Sequence, residues 1–137
     1  MRQSYRPAIP PQPQPYRTQV LDHLGLVAGM FEELGITEVI DRATQQDPEM
    51  RMVTAGHAVK AMVLNGLGFI NQQLYLVPHF FQNKPISRLI APGILASHLN
   101  DDTLGRALDT LYDFGVTALY GLIAATAATR FGADTQV

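Results

Sequence analysis

The chain has 137 residues, a net charge of −2, a mean hydropathy of +0.04 and no cysteine. That length fits one domain able to bury a core without covalent staples, and a hydrophobic content of 47% points to a globular chain. The cysteine count excludes a disulfide framework, a thiolate zinc site and a thiol nucleophile. No apolar run approaches the ~20 residues that span a bilayer. The arginines near the amino terminus have no apolar stretch behind them, as a secretory signal requires. The expectation is a cytoplasmic chain with no membrane partner.

Residues 1–20, MRQSYRPAIPPQPQPYRTQV, hold five of the nine prolines. Such a segment favours extended polyproline II and cannot build a core, so it is expected to be a disordered tail preceding a domain over 21–137. Pro10 and Pro13 form a PxxP, a pattern common by chance in such tails, and Arg2, Arg6 and Arg17 could add non-specific phosphate contacts.

From Leu21 the apolar spacing turns helical. Leu24, Val27, Phe31 and Leu34 follow a 3.6-residue period, and Gly35 is a natural stop. Thr37 is expected to cap a short second helix with Val39, Ile40 and Ala43 inward, ending before Asp47-Pro48. Thr54 caps a third, TAGHAVKAMVLNGLGF, burying Ala58, Ala61, Met62 and Leu64 before Gly66 and Gly68 weaken it. Pro78 must occupy a first turn or a kink, so LYLVPHFF is an aromatic-rich helix with an irregular start. Pro85 opens a short piece over ISRLI that Pro92-Gly93 ends.

HLNDDTLGRALDTLYDFG, residues 98–115, carries four of the twelve acids, and the adjacent Asp101 and Asp102 raise the question of metal or acid–base chemistry. Helix-start chemistry accounts for them. Asn100 at the N-cap can accept a first-turn N–H, and carboxylates at the next two positions favour the positive end of the helix dipole. Leu99 and Leu104 stand at hydrophobic-staple spacing, Leu104, Leu108 and Leu111 form the buried stripe, and Gly115 closes the helix. Successive helical side chains diverge by ~100°, so the two acids do not easily chelate one ion. A last helix runs from Thr117 to about Phe131. No alternating β-branched run occurs. The fold class is all-α, a compact domain of about six helices behind the proline-rich tail.

Charge is unevenly spread. Residues 1–50 hold four basic and seven acidic groups, and residues 101–137 hold two and five. Between them, Arg51, Lys60, Lys84 and Arg88 stand with three of the four histidines and no acid at all. Such a basic middle suits an anion if its members share a face. With Arg106, near the start of the NDDTLGRALD helix, these are the candidate DNA-contacting residues. Catalytic and metal-binding candidates are absent, and no cofactor is expected. GLGF at 66–69 ends a helix rather than following a strand and lacks the third glycine of a dinucleotide fingerprint. His23, His57, His79 and His98 have no ligand spacing. Carboxylates for two-metal phosphoryl chemistry need a rigid converging scaffold that this pattern does not offer. A helix-turn-helix reading of ILASHLNDDTLGRALDTL meets an overly tight turn and two acids where phosphates would lie. The chain is therefore expected not to be an enzyme.

Four stretches, LGITEVIDRATQQDP, GHAVKAMVLNGLGF, LYLVPHFFQNKPISRLIAPGI and HLNDDTLGRALDTLYDFG, in this order resemble the amino-terminal region of DDE-type transposases of bacterial insertion sequences. The resemblance is to the branch whose helical front domain is classed separately as a domain of unknown function. It covers about residues 21–134, with NGLGF, LYLVPHFF and NDDTLGRALD its most specific phrases. The proline-rich tail departs from the pattern. In the family, a segment like ATRFGADT leads into a strand bearing the first catalytic aspartate of an RNase H-like domain, whereas this chain ends at Val137. No residue here matches the catalytic triad, Asp101, Asp102 and Asp134 included. The resemblance implies a transposase front domain, truncated before its nuclease, that binds element-end DNA or assists synaptic assembly. The alternative is a helical protein-interaction module that dimerises or docks on a DDE catalytic domain without touching DNA.

The last helix bears on that alternative. Ala118, Leu119, Leu122, Ile123, Ala125 and Ala128 would cover one broad side, yet Tyr120, Ala124 and Ala127 leave the remainder apolar as well. A helix apolar nearly all round is normally covered on more than one side. Self-association or docking is one expected cover; the amino-terminal helices folding over it is the other.

Overall fold

The computed structural model describes residues 15–47, 49–67 and 76–132, and every regular element among them is helical. In chain order these are α1 (Pro15–Leu34), α2 (Ile36–Ala43), α3 (Ala55–Leu67), α4 (Val77–Phe81), α5 (Ile86–Leu89), α6 (Asp101–Phe114) and α7 (Val116–Phe131), with one 3-10 turn, Ala96–His98, before α6. The chain is all-α, as its apolar spacing indicated. Helix α1 begins at Pro15, inside the stretch expected to be extended; proline's fixed φ suits a first helical position. The rest of that stretch, residues 1–14, lies outside the described residues, as do Pro48, Gly68 and the start of the LYLVPHFF stretch.

Helix α1 turns directly into α2 through Gly35, whose φ of +65° is left-handed. Gly35 N–H donates to the Glu32 carbonyl at 3.0 Å, and the Gly35 carbonyl accepts from Val39 N–H at 3.0 Å, so one residue ends α1 and starts α2. This displaces the expected cap: Thr37 lies inside α2, because the glycine leaves no linker in which it could act. Helix α2 closes with Gln45 at φ +54°. Gln46 N–H reaches the Asp41 carbonyl at 2.7 Å and Gln45 N–H that of Arg42 at 3.3 Å, the paired bonds of a Schellman ending.

The core forms around α3, which packs on α1, α2, α4 and α6. Ala58, Ala61 and Leu64 present a fully buried face, and the two alanines let neighbouring backbones come close. Leu24 and Ala28 from α1, Ile40 from α2, Phe81 from α4 and Leu104 from α6 fill in around it. Burying a leucine side chain this completely contributes about 1.5–3 kcal/mol. Phe80 and Phe81 meet edge to face with centroids 4.9 Å apart.

Helix α6 starts as its sequence implied. Asn100 Oδ1 accepts Thr103 N–H at 3.0 Å, Leu99 and Leu104 are both fully buried, and Asp101 and Asp102 are exposed in the first turn. Its inward stripe differs from the expected one. Leu104 and Ala107 are buried and Leu111 is partly so, whereas Leu108 is 42% exposed. Gly115, at φ +104°, then bends the chain so that α6 and α7 meet at 88°. Because of that bend α7 does not lie along α6. It crosses the ends of α1 and α2 as well, so those helices cover one side of it. Leu119 is its one buried residue and Ile123 packs partly, while Leu122, Ala118 and Ala125, all expected inward, are exposed. Arg130 Nη1 donates to the Glu33 carbonyl at 2.8 Å, tying the end of α7 to the end of α1. No single helix among the described residues is long and apolar enough to cross a membrane.

Candidate functional site

The start of α3 is tied down by hydrogen bonds from its own cap and from α2. Thr54 is the N-cap, and its Oγ1 accepts His57 N–H at 3.2 Å while its own N–H reaches His57 Nδ1 at 3.4 Å. A histidine thus fills the place of the glutamate in a capping box. The second amide of the turn, Gly56 N–H, is taken from outside the helix by Asp41 Oδ1 of α2 at 2.7 Å. Asp41 is buried, and this bond gives its carboxylate a partner as well as fixing α2 against α3. Gly56 is required here: a Cβ would stand 2.6 Å from the Thr37 carbonyl oxygen and 2.8 Å from Asp41 Oδ1. Burial lowers the pKa of His57, opposed by the Asp41 carboxylate, reinforced by the Lys60 ammonium and opposed again, less strongly, by Glu38.

Beside this helix start lies a cleft of about 270 Å³ between residues 51–55 and one side of α6. Arg51, Thr54 and Ala55 line it from one side, and Thr103, Arg106 and Thr110 from the other. The last three fall at i, i+3 and i+7, one stripe of a helix. Asp101 stands ~140° or more from all three around the helix, and Asp102, one turn before Arg106 and ~40° from it, flanks the stripe on the side away from Thr103. The 3-10 turn adds His98, whose Nδ1 accepts Leu95 N–H at 2.9 Å, leaving Nε2 to carry the ring proton. No carboxylate lines the cleft, and neither arginine has an acidic partner among the described residues.

The five cations singled out from sequence do not form one face. Arg51 and Arg106 share the cleft. Lys60 presents nothing to a ligand: it is 1% exposed in the core-facing side of α3, with Nζ 3.4 Å from Glu32 Oε1 of α1. Its spacing from Ala61 and Leu64 puts it at the edge of the buried stripe, where the long apolar stem packs and the ammonium finds one carboxylate. Lys84 lies over the Phe80 ring, 4.6 Å from its centroid, beside a second depression floored by Phe81, Ile86 and Ile94. Arg88 is exposed on α5 and lines neither hollow. Charge alone therefore picked out two of the cleft's residues. Thr54, His98 and Thr103 are neutral polar residues, and their part in it was not visible; only the Thr103, Arg106, Thr110 spacing hinted at a polar stripe. No group of three or more His, Asp or Glu side chains among the described residues could hold a metal ion.

No curated protein and no solved structure matches the chain. One family profile does, over residues 16–125, a span running from the first turn of α1 into α7 and containing the whole cleft. The chain thus belongs to the family described as Domain of unknown function (DUF4277).

Proposed function

We propose that this chain is a non-catalytic front domain of a DDE-type insertion-sequence transposase that contacts the phosphate backbone of element-end DNA during transposition. The observation that carries the reading is the acid-free cleft in which Arg51 and Arg106, from separate elements, come together in a chain of net charge −2. The resemblance of its four helical stretches to transposase front domains supplies the biological setting. Two phosphate contacts on an acidic chain give weak binding that depends steeply on salt, because each neutralised phosphate releases counterions. Fluorescence anisotropy with a labelled element-end duplex tests this. Binding at ~50 mM salt should have a log–log salt slope that flattens by roughly two units in the Arg51→Ala, Arg106→Ala double variant. No binding at that salt overturns the reading.

A second reading has its own observation. Tyr112, Val116, Tyr120 and Phe131 are 81, 62, 72 and 61% exposed along the α6–α7 elbow, which favours a helical protein-interaction module. Light scattering separates the two. A clean monomer at high concentration, unchanged by Ala124→Glu, removes the self-association idea.

A further inference from the structure

We infer that the α6–α7 elbow is a docking surface for an amphipathic helix of a partner protein, one whose apolar stripe is flanked by lysine or arginine. The inference deepens the protein-interaction reading of the elbow and rests on it; the phosphate contacts proposed for the cleft are independent of both. The apolar part of the surface keeps its register through the bend. On α6, Leu108 and Tyr112 stand one turn apart, and Val116, the first residue of α7, follows Tyr112 by four residues across Gly115. Along α7, Val116, Tyr120, Ala124 and Phe131 fall within an arc of ~80°, and all four are exposed. Leu119 and Ile123 hold the opposite edge of α7 against the core, so this arc is what α7 offers outward. Exposed apolar patches with a polar rim mark contact surfaces. Every regular element among the described residues is helical, so the chain offers no strand edge to an extended peptide. A partner backbone covering this patch must satisfy its own hydrogen bonds, as a helix does.

The rim sets the charge of that partner. Asp109 and Asp113 each follow an apolar residue of the stripe, Leu108 and Tyr112, by one position, and both are exposed. They lie between the apolar stripe and the cleft stripe of α6. Neither has an ionic partner among the described residues, Arg106 on the cleft side included. Helix α7 has no carboxylate, and its single charged residue, Arg130, donates to the Glu33 carbonyl. The rim is therefore negative and unpaired. A two-fold copy of the chain would bring the same surface, with two more carboxylates and only Arg130 to meet them. Like charges set against each other across an interface disfavour that partner. An anionic lipid surface meets the same repulsion. Lysine or arginine beside an apolar helical stripe complements both parts of the elbow at once.

The test is an amide-resolved NMR titration of the full chain with two synthetic helical peptides that share one leucine stripe. Lysine flanks the stripe in one peptide and glutamate in the other. The amides of Tyr112, Val116 and Tyr120 should shift saturably with the lysine peptide, which should bind roughly tenfold more tightly than the glutamate peptide. Asp109→Asn with Asp113→Asn should bring the two affinities within about threefold of each other. Tyr120→Ala should weaken the lysine peptide by roughly tenfold or more. If both peptides move these amides with equal affinity, the cation-flanked partner is refuted while the interaction reading stands. If neither does, and light scattering shows a dimer that Tyr120→Glu dissociates, a second copy is the occupant and the inference is overturned. If neither does and the chain is monomeric, the inference and the interaction reading fall together. Shifts that persist unchanged in the Tyr120→Ala protein place the peptide elsewhere and also refute the inference.

Discussion

Replacing Gly56 with alanine separates tight packing from helix propensity within one residue change. Alanine is the better helix former by about 0.8–1 kcal/mol, so an open glycine in α3 would gain that much. Gly56 is not open: its Cβ would meet the Thr37 carbonyl oxygen at 2.6 Å, the Thr37 methyl at 2.8 Å and Asp41 Oδ1 at 2.8 Å. The first of these is backbone, so α2 must move away from α3. Overpacking of this kind costs about 1–3 kcal/mol. Moving α2 also breaks the 2.7 Å bond from Gly56 N–H to the buried Asp41 carboxylate, worth about 1.5–3 kcal/mol for a charged acceptor. The two losses share one displacement and do not add fully. Less the gain in propensity, the expected net loss is about 2–4 kcal/mol. At about 4 °C per kcal/mol for a domain of this size, Tm falls by about 8–16 °C. Urea unfolding followed by circular dichroism measures it, with Gly105→Ala as the control. No atom lies within 4 Å of a Cβ on Gly105, inside α6, so that change should stabilise by about 0.5–1 kcal/mol. A Gly56→Ala protein as stable as the parent would refute the close α2–α3 crossing.

Two further expectations concern the buried charges. Lys60→Met retains the length of a side chain that is 1% exposed and removes an ammonium whose partner, Glu32, is 66% exposed in its side chain; stability should be equal or higher, and a loss on the order of 2 kcal/mol would show the pair to be stabilising. His57 is lowered from 6.5, mainly by burial, so the folded chain holds it neutral while the unfolded chain takes up a proton. Its contribution is then full above pH 6.5 and lost as pH falls below that value. His57→Gln keeps the reciprocal cap without titrating, and should flatten the fall in stability between pH 7 and 5.5 that the parent shows; identical pH profiles would dissociate His57 from it.

What the sequence made legible is the local chemistry of helix ends. Thr54, Asn100 and Gly115 act within three or four residues of themselves, and their roles follow from residue type and spacing. The Thr37 assignment failed for an equally local reason, since the left-handed Gly35 had already started α2. What stayed hidden depends on long-range pairing. Asp41 reads as one more polar residue of ITEVIDRA until Gly56 is brought against it. Lys60 reads as a free cation until α1 supplies Glu32. The apolar character of α7 was plain, but which side α1 and α2 would cover depended on the 88° bend at Gly115. The cleft lies between these cases. Arg51 and Arg106 stood out by charge, yet their meeting in one hollow depends on how α6 packs beside residues 51–55, which no residue pattern advertises.

The geometry of α6 decides how the two functional readings relate. Thr103, Arg106 and Thr110 face the cleft, Leu104 and Ala107 face the core, and Leu108 and Tyr112 face solvent. Leu108 lies two residues from both Arg106 and Thr110, which is ~200° around the helix in either direction. Tyr112 stands at the same angle from Thr110. The cationic and apolar sides of α6 are thus turned away from each other, with the core side between them. A duplex phosphate in the cleft and a helix packed on the elbow would touch the same helix without competing for surface. The helix between them is held at one end by the Asn100 cap and at the other by Gly115, so it would carry both contacts as one rigid body. DNA contact and assembly need not be rival accounts of this domain. Under the two proposals Arg106 and Tyr112 would be separate handles, because a change at either leaves the other's surface intact.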